Sequence, residues 1–182
     1  RVPFIVRWPA RIPAGLKDDR TVLSAVDLLP TLCAAAGAPL PSDHPGDGEN
    51  LLPSLLGKPT ERTKPLFWKH YVVNKSADMW AAWAMREGRW KLLTDLSGER
   101  CALYDLAADP FEFRDLAADS AHAATLARLQ RTLADWRRDT ADPLLKPENL
   151  ARLKQEVTAV SKNDARENSW HYPYYFFGQE TP

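Results

Sequence analysis

The sequence predicts an α/β chain, the tail of an α/β domain followed by a small α+β subdomain in which an antiparallel sheet packs on a helix. Three observations carry this expectation. An apolar, β-prone run opens the chain at 2–8, and a helical pattern bounded by Asp27 and Gly37 follows it. Short strand patterns cluster between 66 and 106, two of them around Glu87-Gly88. A stripe of Leu126, Leu129, Leu133 and Trp136 then repeats at helical spacing.

Each element has a local cause. Val2 to Trp8 reads as a short, largely buried strand, with Pro3 near its start, where a missing N–H is tolerated. Such a strand at the first residue leads us to expect a C-terminal piece of something longer; a mature N-terminus left by processing is the other explanation. Pro9, Pro13 and Gly15 punctuate a turn-rich segment. Asp27 is placed as a helix N-cap with Pro30 in the first turn, and Leu28, Leu29, Leu32 and Ala36 follow at helical spacing. Gly37 and Pro39 supply the stop. Residues 38–65 are proline-rich and form an irregular connector with one helical turn at 51–56.

Strands are expected at 66–73, 81–86, 89–94 and 102–106, the last closed by Asp109-Pro110. Glu87-Gly88 has the length and composition of a hairpin turn. Asp119 or Ser120 caps the helix over 120–139, whose apolar stripe is expected to bury against the sheet, contributing roughly 1.5–3 kcal/mol per large side chain. Leu150, Leu153, Val157 and Val160 predict a further helix at 149–160. The organisation is therefore 1–65, the end of the α/β domain with its connector; 66–140, the subdomain; and 141–182, a helical and aromatic extension.

Composition narrows the function classes. The 182 residues leave room for one domain or one with an appendage. Lys plus Arg and Asp plus Glu each number 24, so the formal net charge is zero and the long-range positive field of a nucleic-acid binder is absent. No run of 18 apolar residues exists to span a membrane. Two cysteines, Cys33 and Cys101, are too few for a disulfide framework or a Cys-based zinc site. Cys33 reads as a small apolar residue, and a Cys33–Cys101 bond stays open.

No nucleophile elbow, P-loop, dinucleotide fingerprint, His-Glu-x-x-His or Cys-x-x-Cys is present. His44, His70, His122 and His171 show no metal-ligand spacing. His122 reads as a solvated helix residue, and the oxygen-rich segment 42–49 lacks the spacing of a calcium loop. His70 is the better candidate. It closes a strand and is trailed by Asn74 and Lys75, a hydrogen-bonding and cationic group suited to an anionic or sugar substrate. The competing reading is a partly buried histidine satisfied by backbone. Arg86, Arg89 and Lys91 read as the solvated face of the hairpin, and Asp105, Asp109, Glu112 and Asp115 as turn caps and helix-terminus charges.

Five phrases, in order, resemble the C-terminal third of a sulfatase of the arylsulfatase family, within the alkaline-phosphatase-like superfamily. They are Arg1-Val2-Pro3-Phe4-Ile5-Val6-Arg7-Trp8-Pro9 with Ile12-Pro13-Ala14-Gly15; Ser24-Ala25-Val26-Asp27-Leu28-Leu29-Pro30-Thr31-Leu32 with Ala36-Gly37; Asp47-Gly48 with Leu51-Leu52-Pro53-Ser54-Leu55-Leu56-Gly57; Ala84-Met85-Arg86-Glu87-Gly88-Arg89-Trp90-Lys91-Leu92; and Leu103-Tyr104-Asp105-Leu106 with Asp109-Pro110-Phe111-Glu112 and Asp115-Leu116-Ala117. The match covers about residues 1–140. It implies the C-terminal edge of an alkaline-phosphatase-like α/β domain and a parent enzyme that hydrolyses sulfate esters, including those of carbohydrates. A phosphonate or phosphodiester hydrolase of the same superfamily and a non-catalytic interaction module are the alternatives.

The family's formylglycine arises from a Cys or Ser in Cys/Ser-x-Pro-x-Arg, and Asp and Asn residues hold a calcium ion. The resemblance places all of these upstream, and neither Cys33 nor Cys101 stands in such a motif. The chain itself is thus expected to hold no catalytic residue, metal ligand or cofactor and to be inactive alone. Its implied partners are the N-terminal catalytic portion and a sulfated small molecule or saccharide, with His70, Asn74 and Lys75 as candidate substrate contacts. The resemblance also implies a periplasmic or secreted setting. The aromatic run from Trp170 to Phe177 is open between packing within the chain, a homo-oligomer contact and a sugar contact.

Overall fold

The computed structural model describes residues 2–43, 46–70, 80–142, 145–149, 151, 152 and 155. The chain divides into two units, Arg1–Leu66 and Phe67–Pro182. The order of elements is α1 (Leu28–Ala36), α2 (Leu52–Leu55), β1 (Leu66–Lys69), β2 (Trp83–Glu87), β3 (Trp90–Thr94), β4 (Cys101–Asp105) and α3 (Ala123–Asp139), an α/β chain as expected.

In the first unit the opening run departs from expectation. Residues 2–8 form no strand, and Val2 and Ile5 are each 88% exposed. A strand needs a hydrogen-bonded neighbour, and no described segment supplies one. Helix α1 follows a 3-10 turn, Ala25–Asp27, and ends where Gly37 takes a left-handed φ of 68°. Its packing inverts the apolar stripe. Pro30 and Thr31 are buried, whereas Leu28, Leu29 and Leu32 face solvent.

Polar contacts explain the inversion. Thr31 Oγ1 accepts from the Leu51 N–H at 3.0 Å and donates to the Glu49 carbonyl at 3.4 Å. Asp27 is completely buried, and its carboxylate accepts from the Ser24 and Glu49 N–H groups at 2.7 and 2.9 Å. Asp27 is therefore not the simple cap of α1. Its side chain reaches back to Ser24 and across to the connector, where Arg62 Nη1 donates to both of its oxygens at 2.7 and 2.6 Å. Gly48 is obligatory here, because a Cβ would stand 2.0 Å from the Val26 carbonyl oxygen.

The second unit is built on a sheet of order β1-β2-β3-β4. β2 pairs antiparallel with β3, and β3 with β4. Register aligns Met85, Leu92 and Leu103 in one row, all fully buried. α3 lays Leu129 and Leu133 on this core, with Leu126 and Trp136 at its margin. Period-2 alternation in the strands and a 3.6-residue stripe on the helix thus meet on one face. Trp136 stacks on Phe67 at 4.5 Å and meets Trp83 edge-on at 6.3 Å.

Smaller departures have local reasons. The Glu87↔Trp90 pair makes Gly88 and Arg89 the hairpin loop, one residue later than expected, with Gly88 at φ 54°. Asp119 accepts from the Ala121 N–H and caps the turn before α3. His122, expected in solvent, is half-buried with its ring 5.4 Å from that of Trp90. The chain after β4 folds back onto that strand. Leu103 donates to Asp115 at 2.9 Å and accepts from the Leu116 N–H at 2.8 Å, which closes the sheet edge. The expected stripe positions 150, 153, 157 and 160, and the aromatic run 170–177, lie outside the described residues.

Candidate functional site

His70 follows the last residue of β1, and its N–H donates to the Ala82 carbonyl at 2.7 Å. Its backbone is thereby satisfied, as the competing reading required, but the residue itself is exposed rather than partly buried. Its exposed imidazole can hydrogen-bond a ligand. Asn74 and Lys75 lie outside the described residues.

The same end of the sheet carries groups that sequence reasoning missed. The Ala82 N–H donates to the Thr94 carbonyl at 2.8 Å, and Thr94 stands opposite Cys101. His70, the start of β2 and the β3–β4 turn therefore share one end. In that turn Asp95 Oδ1 accepts from the Gly98 N–H at 2.6 Å, and the Asp95 N–H donates to the Arg100 carbonyl at 3.0 Å. The turn sets the exposed Arg100 with its guanidinium 4.2 Å over the ring of Trp80. A guanidinium, an indole and an imidazole suit an anionic, ring-bearing ligand. The only signal for Arg100 and Trp80 in the sequence is composition, since strand register brings them to this end.

Beneath this end, Lys69 donates to Asp142 at 2.9 Å and lies 4.7 Å over the Trp83 ring. The opposite end is held by ion pairs. Arg89 Nε donates to Asp105 at 2.6 Å, and Lys91 Nζ to Glu112 at 2.6 Å. Arg86 Nε donates to the Gly88 carbonyl at 3.2 Å. Asp105 also accepts from Ala107, Asp109 from Arg114 and Asp115 from Ala117. The acidic group 105–115 is thus turn-capping and charge-pairing, and the three cations of the hairpin are engaged rather than merely solvated.

Titration reflects these contacts. The hydrogen bond from Arg89 holds the Asp105 carboxyl below its ordinary value, against the opposing effect of burial. Burial works to raise Glu49, but hydrogen bonds from Thr63 and Lys64 prevail and lower it. Burial raises the Cys101 thiol, reinforced by Asp115 and Asp95. Cys33 and Cys101 are both free thiols. Among the described residues no three His, Cys, Asp or Glu side chains gather to hold a metal, and no helix is long and apolar enough to cross a membrane.

Residues 1–139 match the family described as N-sulphoglucosamine sulphohydrolase, C-terminal. The chain belongs to this family. The sulphohydrolase family assignment is joined by individual likenesses. The chain is 36% identical to human arylsulfatase A over 110 residues, 60% of this chain and 20% of that protein. It is 31% identical to an N-acetylgalactosamine-6-O-sulfatase of Bacteroides thetaiotaomicron over 131 residues, 64% of this chain and 24% of that protein. A protein solved in complex with its substrate D-glucosamine-2-N,6-O-disulfate superposes with a TM-score of 0.57 at 25% identity, covering 78% of this chain and 29% of that one. The first curated relatives are matched over only 12% to 41% of their length.

Proposed function

We propose that this chain is the C-terminal part of a sulfatase that hydrolyses sulfate esters of saccharides. The observation that carries the reading is the sulphohydrolase family match over residues 1–139. Relatives named for sulfated sugars, among them the N-acetylgalactosamine-6-O-sulfatase, support the substrate class. The role of this chain is binding. His70, with Arg100 and Trp80 at the same end of the sheet, would contact the sugar and its anionic groups, and Asn74 and Lys75 are carried as further substrate contacts from the sequence alone.

The described residues do not fit the family's calcium or formylglycine, since they gather no metal-ligating group and neither cysteine lies in the required motif. On this reading both belong to a preceding catalytic portion, which is the chain's partner, and the 182 residues alone are inactive. A periplasmic or secreted setting and a homo-oligomer contact through the aromatic run 170–177 belong to the same proposal.

The test is sulfate release by the intact protein from 4-nitrophenyl sulfate, N-acetylgalactosamine 6-sulfate and glucosamine 6-sulfate. Turnover of a sulfated sugar is expected, and His70→Ala should raise KM for the sugar about tenfold or more, the loss of one charge-assisted contact. Cleavage of phosphonate monoesters with no sulfate release would overturn the sulfatase reading. An unchanged KM in His70→Ala would remove His70 from the site.

A further inference from the structure

The way α3 ends is costly for the protein and requires a reason. After Asp139 the helix closes with the Thr140 N–H on the Trp136 carbonyl at 2.9 Å and the Ala141 N–H on the Arg138 carbonyl at 3.0 Å. Ala141 then takes a left-handed φ of 49°, a position that favours glycine. The turn brings the Asp142 N–H to the Arg137 carbonyl at 2.9 Å and directs the Asp142 side chain inward, where it is 3% exposed. There one oxygen accepts from Lys69 Nζ and the other from Arg137 Nε, both at 2.9 Å. The two cations also lie over the indole of the buried Trp83, at 4.7 and 4.5 Å from the ring. The Trp83 N–H has no hydrogen-bond partner among the described residues, so the ring serves this cluster through its face.

We propose that Asp142 is a positioning residue that fixes the end of β1 and thereby the placement of His70. The proposal rests on the reading of His70 as a substrate contact. Among the described residues β1 meets α3 through the Phe67–Trp136 stack, and the turn that follows α3 through the Lys69–Asp142 pair. The stack holds the strand by apolar area, which tolerates sliding. The ion pair is directional and buried, so it fixes where Lys69 stops. His70 is the next residue, and its N–H to the Ala82 carbonyl is the last described hydrogen bond before the chain leaves the sheet. Neutralising Asp142 removes the anion that bridges Lys69 and Arg137 beside one indole. Their repulsion is relieved most readily by release of the strand end, because Arg137 is held within α3.

The test is amide hydrogen exchange on the intact protein carrying Asp142→Asn. The His70 amide should exchange at least tenfold faster, while the ladder amides around Met85 and Leu92 change by less than twofold. KM for N-acetylgalactosamine 6-sulfate should rise about fivefold with kcat within twofold. If Asp142→Asn does not fold, Lys69→Gln removes the same tie from the strand side and should give the same pattern. Unchanged His70 exchange, or equal acceleration at Met85 and Leu92, would overturn the proposal, the second by showing a role in general stability alone. If the unsubstituted protein releases no sulfate, the sulfatase reading fails while the exchange result still decides the placement of His70.

Discussion

Asp27 carries a full complement of hydrogen bonds in a place where no water reaches it. The Ser24 and Glu49 N–H groups and Arg62 Nη1 all converge on its carboxylate, and Arg62 is itself 5% exposed. Arg62 Nε also holds the Lys64 carbonyl at 2.8 Å, so one guanidinium fastens the connector to the start of α1. Removing one member of a buried pair strands the other charge, which costs about 3–5 kcal/mol. Arg62→Met is accordingly expected to lower stability by that amount in chemical denaturation of the intact protein. The double substitution Asp27→Asn with Arg62→Met should cost less than Arg62→Met alone, because the fully buried carboxylate at position 27 no longer stands without its cation, while the loss of Arg62 beside Glu49 is common to both. A double variant as unstable as the single one would show that the backbone N–H bonds to Asp27, not the ion pair, hold this corner.

At the scale of elements, the same kind of pairing sets an acid sensitivity. Asp105 closes β4 and binds Arg89 from the hairpin loop, which ties two turns of the sheet together. Its folded pKa is lowered, so the stabilisation is present above the ordinary carboxylate range near ~4 and is lost as pH falls through the folded value. Thermal unfolding of Arg89→Met should therefore show a lower Tm than the parent at pH 7, with a gap that narrows as pH falls below the ordinary carboxylate range. A gap that persists undiminished at low pH would assign the effect of Arg89 to packing. The elements themselves were legible where local pattern and burial agree. α3 keeps its predicted stripe because Leu129 and Leu133 meet a sheet that the same chain supplies. Residues 2–8 have strand chemistry but no described neighbour to pair with, and α1 buries Thr31 in place of its leucines because backbone groups of the connector need partners. His70 was visible as a polar residue closing a strand. Arg100 and Trp80 were not, since only register across β2, β3 and β4 assembles their end of the sheet.

For the whole molecule, the apolar surface of the first unit is the dominant feature. Val2, Phe4, Ile5 and Val6 are exposed in sequence, and Val26, Leu28, Leu29 and Leu32 are exposed on and before α1. Exposed large apolar side chains in this number favour association when they are left uncovered. Net charge offers no opposition, because 24 cationic and 24 anionic side chains cancel and leave no long-range repulsion between copies. The 182-residue chain on its own is therefore expected to self-associate, with a light-scattering mass that rises with concentration. Added salt should strengthen the association rather than disperse it, since the attraction is apolar and not ionic. Leu32→Glu, which places a charge on an exposed position of α1 and removes no buried contact, should shift the distribution toward monomer. If the proposed catalytic portion covers α1, the same substitution should lower the stability of the intact protein; if this face is open, it should leave it unchanged. A monodisperse monomer of the unsubstituted chain at high concentration would contradict the prediction and favour the interaction-module reading.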